Sequence, residues 1–159
     1  MHARLDALKI VPDAYKAVFQ LQAYINNHSG LEHSLLHLIE MRASQINGCA
    51  YCLDMHSKDA RALGEREQRL YGLDAWRDAP YYTDRERAAL AWTEAVTLVS
   101  ESRVPDEVYE NARKQFSEAE LIHLTLAVAQ INVWNRLNVA FRTEAGTYQP
   151  NVQPMKKTA

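Results

Sequence analysis

Apolar residues recur every three to four positions along most of the chain, and turn-forming residues interrupt them at regular intervals. Pro12 opens a first segment that Asn27, His28, Ser29 and Gly30 close. Asn47-Gly48 breaks the next, and Gly64, Gly72, Pro80 and Pro105 mark later breaks. The spacing predicts a helix over 14–26, with Ala17, Leu21, Tyr24 and Ile25 on one side. A second is predicted over 31–46, with Leu35, Leu38, Ile39 and Ile46 inward. A third starts at Cys49 and ends at Gly64, a residue suited to a helix C-terminus. A short helix over 65–71 follows. Thr83 with Glu86, and Ser117 with Glu120, have the spacing of capping boxes. The first opens a helix with Ala89, Trp92, Val96 and Val99 on one face. The second opens a long helix through Leu121, Leu124, Val128, Ile131 and Trp134 to about Phe141. Pro105 suits a first helical turn. From Thr143 onward the pattern is irregular. No window alternates apolar and polar residues long enough for a strand, and there is no internal repeat. The expectation is an all-α, single-domain bundle of six to seven helices spanning 1–159.

Composition agrees and narrows the function. Of the 159 residues, 47% are hydrophobic and 24% charged, enough apolar content for a core. Ala and Leu dominate while Gly and Pro are scarce, which favours helix. A net charge of -2 lacks the basic surplus of a nucleic-acid binder. The start has acidic residues and a proline where a signal peptide needs an apolar run, and no stretch is long enough to span a membrane. A cytoplasmic protein without nucleic-acid or membrane partners is therefore expected.

The two cysteines are Cys49 and Cys52, three apart, and His56 follows four residues later. On a helix these are i, i+3 and i+7, one narrow stripe. Cys49 sits where the helix begins, and exposed N–H groups there favour a thiolate. His56 lies one turn from Cys52 and can take its proton or stabilise its thiolate. Two thiols this close can form a disulfide with each other. Buried structural cysteines are the plain alternative. Zinc is a third option, with His33 or His37 as an added ligand, but a single helical stripe is unlike a closed zinc site. The preceding helix carries a polar stripe of His33, His37, Glu40, Ser44 and Asn47. This is either a solvated face or a face turned to the cysteine helix, where Glu40 would relay protons through His56.

The run Arg42-Ala43-Ser44-Gln45-Ile46-Asn47-Gly48-Cys49-Ala50-Tyr51-Cys52-Leu53-Asp54-Met55-His56 resembles the carboxymuconolactone decarboxylase-like family, in its AhpD-like alkylhydroperoxidase branch. Arg85 through Glu94 and Ile131 through Arg136 look like the same branch, so the likeness covers most of 12–143. The resemblance implies an all-α fold and subunits assembled as trimers or hexamers. It implies Cys52 as the peroxidatic thiol, His56 as its proton partner and Cys49 as the resolving thiol. The helix-dipole argument alone favours Cys49 as nucleophile. The family's relay Glu stands twelve residues before the first cysteine, where this chain has His37; Glu40 is one turn later. Either Glu40 or His37 serves the relay, or the relay is weakened. Tyr51 stands where family members have a His.

The expected function is a thiol-dependent peroxidase. It would reduce organic or hydrogen peroxide in antioxidant defence, with no cofactor or metal beyond the cysteine pair and an external, lipoyl-type or other thiol reductant. A redox sensor without turnover and a decarboxylase-type lyase are the alternatives. Elsewhere, Tyr24, Trp92, Trp134 and Phe141 are expected in the core, some lining an apolar pocket. Tyr71, Trp76, Tyr81 and Tyr82 are a candidate subunit interface. Asn132 and Asn135 are expected to bond across a helix or subunit contact, Glu86 to cap, and Glu94 to lie on the surface, the alternative being a second carboxylate near the site.

Overall fold

The computed structural model describes residues 2–150. The expected tail beyond residue 150 lies outside them. Nine α-helices and one 3-10 turn make up the regular structure of the described residues: α1 (Ala7–Ile10), α2 (Pro12–His28), α3 (His33–Asn47), α4 (Ala50–Ala62), α5 (Glu67–Tyr71), the 3-10 turn (Leu73–Ala75), α6 (Asp84–Thr97), α7 (Val99–Ser102), α8 (Asp106–Gln115) and α9 (Glu118–Phe141). The count exceeds the six to seven expected because α1 and α7 have four residues each, too few to display a period. No helix among the described residues is long and apolar enough to cross a membrane.

Helix α3 lies at the centre, packed against α4, α6 and α9. Its apolar residues leave on two sides. Leu35, Leu36 and Ile39 meet Ile25 of α2, Ala89 and Trp92 of α6, and Leu124 and Val128 of α9. Leu38 and Met41 meet Ala60, Leu70, Leu73, Trp76, Tyr82 and Leu90. Fully burying a Leu or Ile side chain contributes about 1.5–3 kcal/mol, so a helix buried on both sides anchors the bundle. A third, smaller cluster joins Ala43, Cys49, Cys52 and Ile131 where α3, α4 and α9 converge.

Both capping boxes form. Thr83 and Ser117 accept from the backbone N–H of Glu86 and Glu120, whose carboxylates accept from the N–H of Thr83 and Ser117. Several aromatic expectations need correction. Trp76 and Tyr82 are buried core residues, not interface residues, because Tyr82 donates to the Arg69 carbonyl and stacks beneath its guanidinium. Tyr71 is the exposed member of that group, at 77%. Tyr24 is not core. It lies on the outer face of α2, where its ring packs on His28 and His123. Val99 starts α7 and is exposed, because α6 ends at Thr97. Glu94 is neither exposed nor catalytic in placement: it accepts from Arg42 Nε (2.8 Å) and Trp76 Nε1 (2.8 Å) and pairs with Arg77 (2.6 Å). Arg85 bridges Glu32 and Glu120, and Arg69 pairs with Glu65 and Glu86. The segment 85–94 therefore clamps the bundle.

Candidate active site

Gly48 shapes the site first. It ends α3 in the left-handed conformation (φ +65°), and the N–H groups of Gly48 and Cys49 return to the carbonyls of Gln45 and Ser44. The chain turns sharply and places Cys49 at the N-cap of α4, where its Sγ accepts from the N–H of Cys52 (3.4 Å). Cys49 and Cys52 form a disulfide, and each is about 1% exposed. One turn along α4, His56 is buried as well.

The turn lays α4 against the polar stripe of α3. Glu40 is buried, and its Oε2 lies 3.0 Å from His56 Nδ1 and 3.4 Å from His37 Nδ1. Burial alone would raise the Glu40 pKa, but the charge of His56 and hydrogen bonding from His37 and His56 outweigh it. The carboxyl is held well below the usual range. Burial pushes His56 toward its neutral form, and Glu40, with Asp59 adding, overcomes this and raises its pKa. His56 Nε2 is buried with no hydrogen-bond partner among the described residues. Ser44 donates to the Glu40 carbonyl (2.7 Å), and Asn47 reaches Asn132 and Asn135, so only the outer part of the stripe is a solvated face. His33 is exposed and lines the cavity described next.

A cavity of about 880 Å³ opens beside Cys52 and His56; Cys49 does not line it. Tyr15, Phe19 and Trp134 form an aromatic wall, with ring centroids 5.7 and 4.9 Å from that of Trp134. Tyr51, Phe141 and Tyr148 line it too. Two positioning groups, Asn138 and Gln22, were not legible in the sequence. Asn138 Nδ2 lies 3.4 Å from Cys52 Sγ. Gln22 donates to Glu40 Oε1 (3.3 Å) and accepts from Trp134 Nε1 (3.3 Å). The expected cross-helix bonds of Asn132 and Asn135 do form: Asn135 donates to Ser44 (2.9 Å), and Asn132 to Thr97 (3.0 Å), tying the α3 terminus to α9 and α6. Gln22 and Asn138, isolated polar residues on separate helices, carry no spacing signal before the helices are packed.

Among the described residues, His37, Glu40 and His56 are the group whose ligand atoms come within 4.8 Å of one another, the set that could hold a metal ion. It differs from the cysteine-centred zinc option, and a metal there would displace the Glu40–His56 proton contact.

The carboxymuconolactone decarboxylase family model matches residues 12–95, over half of the chain and including the whole cysteine–histidine motif. The chain belongs to this family. Within it, the chain is 40% identical over 147 residues to the uncharacterised protein YdfG of Bacillus subtilis, covering 92% of this chain and 99% of YdfG. It is 44% identical to a crystal structure from Agrobacterium tumefaciens, a protein of unknown function likened to the antioxidant defence protein AhpD. That match has a TM-score of 0.89 and covers 92% of this chain and 100% of the other. The debrominase Bmp8 shares the fold at 22% identity and a TM-score of 0.76, over 88% of this chain and 75% of its own. The likeness to Bmp8 is one of fold alone; within its family this member lies in the AhpD-like branch.

Proposed function

We propose that the protein is a thiol-dependent peroxidase of the alkylhydroperoxidase type. The observation that carries this reading is a vicinal cysteine pair whose cavity-facing member sits one helical turn from a histidine held by a buried carboxylate. In the reduced protein, His56 keeps its proton to higher pH than an ordinary histidine and stabilises the Cys52 thiolate beside it. Asn138 adds an N–H donor toward that sulfur. The thiolate attacks the peroxide O–O bond, forming sulfenic acid at Cys52. The departing alkoxide takes a proton from His56 and leaves as the alcohol. Cys49 then condenses with the sulfenic acid, releasing water and closing the disulfide. In sum, two thiols and one hydroperoxide become one disulfide, one alcohol and one water. Glu40 restores the His56 proton from the His37 side. An external dithiol, of lipoyl or similar type, returns the pair to thiols, and the open cavity is its route.

Intact mass after adding cumene hydroperoxide to reduced protein tests the reading. Loss of two hydrogens is expected, with Cys52→Ser inert and Cys49→Ser carrying a sulfenic acid trapped by dimedone. An unchanged mass, or oxidation that persists in Cys52→Ser, would defeat it.

We also infer that copies of the chain associate through α9. Its Ile122, Leu126 and Val133 lie exposed on a largely apolar helix, and such helices are normally covered on every face.

A further inference from the structure

The wall of the cavity carries a charge pattern that thiol chemistry alone does not require. Among the described residues no lysine or arginine lines it, whereas Asp6, Glu40, Asp59 and Glu144 all do. Glu40 is committed to the two histidines, and the positive charge on His56 is matched by it. Asp6 is paired with Lys9 at 2.7 Å. Asp59 accepts only the Tyr148 hydroxyl (2.9 and 3.1 Å), and neither it nor Glu144 pairs with a cation among the described residues. The rings of Tyr15, Phe19 and Trp134 line the same cavity. A flat or branched apolar guest gains contact with these rings and gives up little hydration. A guest bearing a carboxylate must shed its water and face two uncompensated negative charges, with no guanidinium or ammonium to receive it.

Building on the peroxidase reading, we propose that the cavity selects uncharged aromatic or branched-alkyl hydroperoxides over those bearing a carboxylate, with Asp59 and Glu144 as the residues that set this specificity. The volume agrees, since about 880 Å³ is far more than hydrogen peroxide needs and falls in the range of organic-ligand sites.

A matched pair of substrates tests it: cumene hydroperoxide and its para-carboxylate analogue, differing by one charge. Each is added to reduced wild-type protein, and the second-order rate of disulfide formation is followed. The uncharged compound is expected to react at least tenfold faster, and the gap to close toward parity in the Asp59→Asn/Glu144→Gln double variant. Equal rates in the wild type, or a gap that survives both substitutions, would overturn the proposal. Binding of the two product alcohols to the disulfide form, read by tryptophan fluorescence, needs no thiol chemistry. A tenfold preference for the uncharged alcohol supports the selectivity even if neither hydroperoxide oxidises the pair, an outcome that removes the peroxidase reading alone. Equal binding of the two alcohols overturns the selectivity whatever the kinetics.

Discussion

Glu40 sets the protonation of the site. It is a buried charge that survives because two imidazoles face it, and breaking such a pair costs about 3–5 kcal/mol. Glu40→Gln keeps the shape and removes the charge. Because positioned proton transfer contributes about 10²–10⁴-fold, peroxide-driven oxidation of the variant should fall by about two orders of magnitude in stopped flow. The pH dependence follows from the two directions. The lowered Glu40 pKa gives stability that is present above about pH 4.5, the unfolded value, and lost as pH falls through the folded one. The raised His56 pKa gives stability that is present below about pH 6.5 and lost as pH rises through its folded value. Urea unfolding across pH should therefore show the largest gap between wild type and Glu40→Gln at about pH 4.5–6.5. A gap that instead widens above pH 8 would contradict this account of the pair. At the same scale, two arguments compete over the cysteines. The start of α4 favours a thiolate at Cys49, whereas the cavity meets Cys52. In the proposed peroxidase, Cys52 is the nucleophile because the cavity meets it, over a helix-terminus effect of about 1 kcal/mol at Cys49.

The junction between α3 and α4 turns two ordinary helices into a site. Gly48 alone lets the chain reverse there, and a Cβ at this position would meet nothing within 4 Å. The cost of Gly48→Ala is thus backbone strain only, about 1–2 kcal/mol, to be read as a lower urea midpoint with an unchanged slope. A wild-type midpoint in the variant would show that the left-handed conformation is not needed. The asparagines of α9 hold the same junction from outside. Asn135 donates to Ser44 and accepts from Asn47, so Asn135→Ala leaves both without those partners in a buried place. A loss of about 2–4 kcal/mol is expected, well beyond the roughly 1 kcal/mol for deleting the Thr83 cap by Thr83→Ala. Comparable losses in the two variants would mean that the network does not tie α3 to α9.

For the molecule as a whole, the core and the site compete for the same central helix. Helix α3 gives Leu38 and Ile39 to two packed clusters and still turns Glu40 toward α4. A truncation such as Leu124→Ala, opposite Ile39 in the first cluster, should cost about 2–5 kcal/mol and lower the thermal midpoint by several degrees. The exposed apolar residues of α9 act at this scale too. Substituting Leu126 and Val133 by Glu should reduce the mass found by light scattering to that of one chain, with helicity by circular dichroism retained. An unchanged mass would place any subunit contact elsewhere.

The local physics was open to reading from the chain. Helix periods, the break at Asn47-Gly48 and both capping boxes depend on residues within a few positions of one another, and so does the stripe of Cys49, Cys52 and His56. Composition favoured helix for the same reason, because helical preference is summed residue by residue. Other features depend on residues brought together from distant parts of the chain. Folding of the polar stripe onto α4 placed Glu40, rather than His37 alone, against His56. The burial of Trp76 and Tyr82, the outward turn of Tyr24 and the clamp around Glu94 all rest on arginines and helices far off in sequence. So do the approach of Asn138 and Gln22 to the site and the acid-lined, aromatic-walled cavity. Spacing along one helix says which side chains share a face. Only tertiary packing decides what that face meets, because burial, pairing and the pKa values that follow are properties of the partner as much as of the residue.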